Sequence, residues 1–464
     1  MFHYKYECLK TMKNIQTKIY TLFSFALLLT AIVSCDDFLN IEPKDSLSTS
    51  DDVIVDKAST ESALRGLYSA LGDAGYYGTS FQSIGYLSGD NIQWTGSQSQ
   101  VQEFINHKVN ADNATISAAW NAIYRTINRA NNIIAAVPDI ADPTLTETLQ
   151  NQYLGEAHFI RALAYFDLAR TWGGVPVVTE PTKIAGDNQS IPKSSVAQTY
   201  AQVLSDLENA ETLLPETTDR YRATKKTAWA LKARYYLYQQ DYSKAEEYAS
   251  KLIADSKYRL VKPFNSFFAS NARGSDESIL ELFYNGTTEV NTHRNQWQPQ
   301  TNGGTRQWAP NDALVALLNN AAVGGTRSTL VAKDNQNRWY GNLYYRTPAS
   351  DPSYVIRIAE LYLIRAEARA KLENLEGALE DLNAVRTRAD IAPSIATTQD
   401  DILLAIENER RIEFALEPHR WFDLVRTGRA GDILNVTESF RLVLPIPAEQ
   451  ILVDGDIVKQ NEGY

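Results

Sequence analysis

Residues 359–388 read AELYLIRAEARAKLENLEGALEDLNAVRTR, and residues 227–253 read TAWALKARYYLYQQDYSKAEEYASKLI. In the first stretch Ala366 and Ala378 stand twelve apart around a turn near Glu373-Asn374. In the second, Ala233 and Ala245 stand twelve apart around Gln239-Gln240-Asp241-Tyr242. Small residues at that interval let two antiparallel helices approach closely. The two stretches therefore read as copies of one helix–turn–helix unit.

This is the logic of tetratricopeptide repeats, and the chain before the pair continues it. Helical periodicity predicts helices over Ser59–Leu71, Ala114–Val137, Glu147–Trp172 and Val196–Leu214. Pro138, Gly173-Gly174 and Pro215 supply stops. These earlier helices can form two further, degraded repeats. Between the clear repeats lies a different region, near 262–350, with one apolar strand candidate, Ile279–Phe283. It is otherwise rich in Asn, Gly, Thr, Arg and aromatic residues. A second irregular stretch runs from Gly72 to Ser99, within an insertion near 72–113. Loops mounted on a rigid scaffold are where binding residues concentrate.

The N-terminus points to export. Lys13 and Lys18 precede an apolar run from Ile19 to Val33, shorter than the ~20 residues a membrane helix needs. The run ends Ile32-Val33-Ser34-Cys35, which is similar to a bacterial lipobox. The expected division is a signal peptide at 1–34, with Met12 as the natural start, then a lipidated Cys35 and tether over 35–56, then one domain over 57–464. Removal of 1–34 takes away four lysines and one glutamate and moves the formal net charge from -11 to -14. Asp36 and Asp37 after the cysteine resemble a surface-export signal of Bacteroidetes lipoproteins.

An acidic surface repels phosphate backbones, which argues against nucleic-acid binding. Two cysteines make no disulfide framework, and the histidines at 3, 107, 158, 293 and 419 are scattered, so no metal or cofactor is expected. No phosphate-binding Gly-rich loop, HExxH or CxxC occurs, and Gly85-Tyr86-Leu87-Ser88-Gly89 puts Ser one position late for a nucleophile elbow. No catalytic residue is assigned. The charges of Glu407–Glu413 read as i,i+3 and i,i+4 pairs along one helix, and His419–Val425 as a packed, hydrogen-bonded cluster.

Six motifs in order carry a resemblance to a known family. Ala157-His158-Phe159-Ile160-Arg161-Ala162 leads to Tyr165-Phe166 and Trp172-Gly173-Gly174-Val175-Pro176. RIAELYLIRAEA (357–368) and Asn383–Ala389 follow. Then come ERRIEF (409–414) with EPHRWFDLVR (417–426), and LPIP (444–447) with Glu449, Gln460-Asn461 and Tyr464. Together these resemble the SusD/RagB family over nearly the whole mature chain. Pro418 replaces a usual glycine, and Asn461-Glu462-Gly463 lacks a usual proline. The resemblance implies a right-handed superhelical scaffold of tetratricopeptide-like repeats, with a loop-rich subdomain carrying a few short strands. It implies an outer-membrane lipoprotein facing the cell exterior, which captures a glycan for a SusC-like TonB-dependent transporter and breaks no bond. Peptide or glycoprotein cargo, a peptide-binding scaffold, and a secreted glycan-cleaving enzyme on helical repeats are the competing readings.

The ligand site is expected on the irregular regions. Trp120, Trp172, Trp229 and Trp421 fall in helical, family-like segments and read as core. Trp94, Trp297, Trp308 and Trp339 fall in the loops. An indole offers a flat apolar face to a sugar ring. Asp90 and Asn91 beside Trp94, Arg306 beside Trp308, and Arg338 and Tyr340 beside Trp339 supply hydrogen-bonding partners.

Overall fold

Both turns expected between paired helices carry the same device. Gln240 and Glu373 each lie seven residues after the first small alanine, and each adopts a left-handed backbone, φ 58° and 64°. The next residue, Asp241 or Asn374, caps the following helix by accepting from the backbone N–H of Lys244 or Gly377. Ala233, Ala245, Ala366 and Ala378 are all fully buried. A larger side chain at any of the four would push the paired helices apart.

The computed structural model describes residues 53–464 apart from 185, 189 and 456. The expected signal peptide, Cys35 and most of the tether lie outside the described residues. Helices α1 (Lys57–Leu71) and α2 (Ser80–Leu87) lead to β1 (Ile92–Trp94) and α3 (Ser99–Ile105). Four helices follow: α4 (Ala114–Ala136), α5 (Glu147–Trp172), α6 (Val196–Leu213) and α7 (Lys225–Tyr238). After α8 (Tyr242–Ile253) come β2 (Ser278–Leu282), α9 (His293–Trp297), β3 (Trp308–Pro310) and α10 (Asp312–Asn319). Then come β4 (Val331–Lys333), β5 (Trp339–Gly341) and β6 (Ser353–Arg357). The chain ends with α11 (Ile358–Lys371), α12 (Leu375–Arg388), α13 (Gln399–Glu413), α14 (Arg420–Arg426), α15 (Ala430–Leu434) and α16 (Ala448–Asp454).

Helices α4 to α8 each pack on the next, α8 packs on α11, and α11 on α12 and α13. This is the continuous stacking by which repeat units bury faces they could not bury alone. Ion pairs tie neighbouring units: Arg234 on α7 donates to Glu360 on α11 at 2.6 and 2.7 Å, and Arg369 on α11 donates to Glu246 on α8 at 2.8 Å. The strands form three small antiparallel pairs, β1–β3, β2–β6 and β4–β5. No helix among the described residues is long and apolar enough to cross a membrane.

Three expectations change. The stretch Gly72–Ser99 is not irregular throughout, because α2 occupies its middle. Every residue from Phe81 to Leu87 is buried, so that helix shows no polar face from which periodicity could be read. The charges of Glu407–Glu413 do not pair along their own helix either. Glu409 receives Arg327 Nη2 at 2.6 Å, and Glu413 receives Arg327 Nε at 2.7 Å, Arg357 Nη1 at 3.0 Å and Arg388. Arg410 reaches Asp423 at 2.7 Å. Lastly, Trp229 is only half-buried, its Nε1 donating to Glu211 at 2.7 Å, whereas Trp120, Trp172 and Trp421 are core.

Arg327, Arg357 and Arg388 form a buried cluster with Glu277, Glu409, Glu413 and Glu417. It joins the insertion (Arg327, Glu277) to α12, α13 and the turn before α14. Burial pushes the Glu413 carboxyl up, but Arg388, Arg327 and Arg357 outweigh it and hold it at about 2. The last motif is also structural. Asn461 Nδ2 donates to the carbonyls of Trp172 and Leu444 at 2.9 and 2.7 Å, and Trp172 Nε1 donates to Pro445 O at 3.0 Å. The C-terminal segment is thereby stitched to the end of α5.

Candidate functional site

The β4–β5 hairpin has a turn set by one carboxylate. Asp334 Oδ1 accepts from the backbone N–H groups of Gln336 and Arg338 at 2.9 Å, and Oδ2 accepts from Arg338 Nε at 2.8 Å. Asn337 takes the left-handed conformation, φ 62°, that asparagine tolerates. The register then sets Lys333 opposite Trp339 and Ala332 opposite Tyr340. The Lys333 ammonium lies 4.8 Å from the Trp339 ring centroid, a cation–π distance.

A second ribbon lies beside it. In β1–β3, Trp94 faces Trp308 and Ile92 faces Pro310. Thr95 extends the pairing, its N–H donating to Gln307 O at 2.9 Å and its hydroxyl to Arg306 O at 2.6 Å. Arg306 joins the ribbons by donating from Nε to Trp339 O at 2.8 Å. Trp94, Arg306, Trp339 and Tyr340 are half-buried, while Lys333 and Arg338 are exposed. The Tyr340 hydroxyl and the Arg306 terminal nitrogens have no hydrogen-bond partner among the described residues. The ribbons thus present two partly open indoles, a phenol and three cations on a shallow surface.

Beneath this surface is an aromatic core that holds two of the expected site residues. Trp297 is fully buried and Trp308 is 5% exposed. Tyr86 packs on both, with centroids 5.4 and 5.1 Å away, and the two indoles lie 5.8 Å apart at 72°. Their faces are spent on packing, so neither Trp297 nor Trp308, both expected in the site, presents an open indole here. Gly341 has to be glycine there, because a Cβ would come within 2.5 Å of the Trp297 ring. His293, stacked on Tyr344 at 4.5 Å, is held neutral by burial, its pKa pushed down to about 3.

Asp90 and Asn91, also expected in the site, are engaged by arginines from the C-terminal helices. Asp90 receives Arg420 Nε at 2.7 Å and lies 3.1 Å from Arg411 Nη2. Burial pushes its carboxyl up, and the two guanidinium groups outweigh that and lower it. Asn91 is buried, accepting from Arg411 Nε at 2.8 Å and donating to Arg411 O at 3.1 Å. Both side chains bind α13 and α14 to the start of β1 and so position Trp94. Sequence reasoning missed Lys333. Its signal was the hairpin pattern itself, a polar turn DNQN between VAK and WYG.

Hollows lie elsewhere among the described residues, one of them, of about 370 Å³, between α11, α13 and α14. A cavity of about 730 Å³ is lined by α1, Tyr221, Arg222 and residues 282–292. Its charged side chains are largely committed: Arg222 to Glu156 at 2.8 Å, Asp73 to Gly75 N–H and Arg125, Glu61 to Tyr153 at 2.9 Å. A smaller one of about 320 Å³, lined by Thr79, Asn291, Arg294, Asn295 and Gln296, adjoins the ribbons where Thr305 hydrogen-bonds Asn295 O. Size alone favours the largest, but most of its charged side chains are already paired, while the ribbons keep the Lys333 ammonium, the Arg306 terminal nitrogens and the Tyr340 hydroxyl without a hydrogen-bond partner among the described residues.

Comparison with known proteins agrees with this architecture. Residues 37–237 match a family described as "Starch-binding associating with outer membrane", and residues 280–438 match the SusD family. The chain is 27% identical to SusD-like protein P38 of Formosa agariphila, over 98% of this chain and 100% of that one. It is 24% identical to the starch-binding protein SusD of Bacteroides thetaiotaomicron, over 85% of this chain and 86% of that one. A solved laminarin-binding SusD-like protein superposes with TM-score 0.78 at 22% identity, covering 88% of this chain and 100% of that one.

Proposed function

This chain belongs to the SusD/RagB family, whose members bind glycans in association with the outer membrane and are not enzymes, and from that premise we propose that it captures a polysaccharide or oligosaccharide at the cell surface and passes it to a SusC-like TonB-dependent transporter. The observation that carries the reading is the paired ribbon around Trp94 and Trp339. It puts half-open indoles next to Arg306, Tyr340 and Lys333, which keep unpaired polar atoms, and next to Arg338, which is exposed but bound to Asp334. Indole faces stack on the apolar faces of sugar rings, and the donors hydrogen-bond hydroxyls. A shallow surface suits a ligand that must be handed on. Starch-binding and laminarin-binding relatives support the glycan class. Cys35 is proposed as the lipid anchor on the sequence alone.

The test has two arms. Titration of the purified protein against a polysaccharide panel should find a bound glycan, with no release of reducing ends. Cells lacking the protein should take up that glycan poorly at low concentration, and the protein should co-purify with the transporter. A protein that binds peptides and no glycan, or that turns a glycan over, contradicts the reading.

A further inference from the structure

We propose that the surface around Trp339 selects an acidic glycan, one carrying uronate carboxylates or sulfate esters; this rests on the glycan-capture reading of that surface. The chain as a whole is acidic, 56 Asp and Glu against 45 Lys and Arg. Around Trp339 the balance reverses. The Lys333 ammonium stands 4.8 Å from the ring centroid, Arg306 is bonded to the Trp339 backbone carbonyl, and Arg338 is the residue just before the strand. Many arginines elsewhere are paired with carboxylates, as Arg222 is with Glu156 and Arg426 with Glu367 and Asp423. On this face Arg338 is paired too, but Arg306 and Lys333 have no carboxylate within ion-pair distance among the described residues. Here the carboxylate that faces Arg306 and Arg338 is Asp334, whose side chain is 1% exposed and whose oxygens are occupied by Arg338 and two backbone N–H groups. Lys333 pairs with no carboxylate among the described residues.

The chemistry of the face follows. Lysine and arginine side chains only donate hydrogen bonds. A neutral sugar needs acceptors as well as donors, and this face has donors in excess and no free carboxylate. Its complement is a ligand rich in acceptors and negatively charged. A guanidinium with both terminal nitrogens uncommitted, as in Arg306, matches the paired oxygens of a carboxylate or sulfate. A sugar ring laid on the half-open Trp339 brings its acidic substituent to the ring's edge, near the unpaired Arg306 and Lys333 and the Asp334-bound Arg338.

The test is calorimetric titration of the protein with alginate (uronate), a sulfated galactan (sulfate), laminarin and starch, at about 20 mM and about 500 mM salt, where exposed charge attraction is respectively strong and screened. The variants are Lys333→Glu and Trp339→Ala, with circular dichroism to confirm folding. The expected result is binding of alginate or the sulfated galactan, which decides between the two anionic groups. That affinity should fall about tenfold or more at high salt and about tenfold in Lys333→Glu. Laminarin or starch bound with an affinity indifferent to salt and to Lys333→Glu, but lost in Trp339→Ala, overturns the acidic selection and leaves glycan capture at this surface standing. An acidic glycan bound equally by both variants overturns the selection and the site together, and so does no binding by any of the four.

Discussion

Arg327, in the turn after α10, donates from Nε to Glu413 Oε2 of α13 at 2.7 Å, and both side chains are fully buried. This pair joins the insertion that carries the candidate site to the repeat scaffold. A buried ion pair contributes little net stability against an apolar replacement, but removing one partner leaves an uncompensated charge. Arg327→Met is therefore expected to destabilise the protein by about 3–5 kcal/mol, read as a lowered denaturant midpoint. Arg327→Met with Glu409→Met should recover part of that loss, since Glu409 is the carboxylate left with Arg386 alone, whereas Glu413 keeps Arg357 and Arg388. A single variant as stable as the parent contradicts this account.

Trp421 holds the signature segment rather than a ligand. It is 2% exposed and stacks on His107, centroids 5.5 Å apart. Trp421→Ala should cost about 3–5 kcal/mol, the usual range for emptying a large buried site. Thermal denaturation checks it. A variant that keeps its stability and loses only ligand binding reverses the assignment.

Acid sensitivity should begin with two histidines. Burial holds His293 and His419 at about 3, against an ordinary value of 6.5. In the unfolded chain they protonate as pH falls through 6.5, while in the folded chain they stay neutral until about 3. The stability they give is complete above pH 6.5 and drains away between 6.5 and 3. The carboxyls of Glu413 and Glu360, held at about 2 against 4.5, follow below pH 4.5. Asp351, pushed up to about 6 by burial, runs the other way and favours the fold most below its ordinary 3.8. The His293 contribution is isolated by comparing Tm at pH 7 and pH 5: His293→Gln should lose less on acidification than the parent. An equal loss would show that His293 is not held neutral.

Cys35 is expected to carry the anchor, on the lipobox-like Ile32-Val33-Ser34-Cys35. Cys35→Ala should move the protein from the membrane to the soluble fraction in cells lacking the transporter. Continued fractionation with the outer membrane would remove the assignment.

The scaffold was legible because its signals are local. The twelve-residue alanine spacing and the turn residues fall within single hairpins, and α5 begins at Glu147 and ends at Trp172 because Thr146 caps it and Gly173, φ 77°, ends it. The site was only partly legible because exposure is not local. Trp94 and Trp339 keep partly open rings, whereas Trp297 and Trp308, which like Trp94 follow a glutamine, are covered by Tyr86 from a segment some 200 residues away. Asp90 looked available because its partners, Arg411 and Arg420, lie more than 300 residues further on. The ion pairs of α13 escaped for the same reason: spacing along one helix shows only partners on that helix.

If the ribbons contact the glycan, Trp94 and Trp339 carry the stacking and the tryptophans beneath them do not. The most direct measurement is the affinity of Trp94→Ala and Trp339→Ala for whichever glycan the parent binds, with circular dichroism and Tm alongside. The account predicts folded variants whose affinity falls about tenfold or more, as for loss of a stacking contact worth about 1.4 kcal/mol or more. Folded variants of both residues that bind the glycan as tightly as the parent would contradict it.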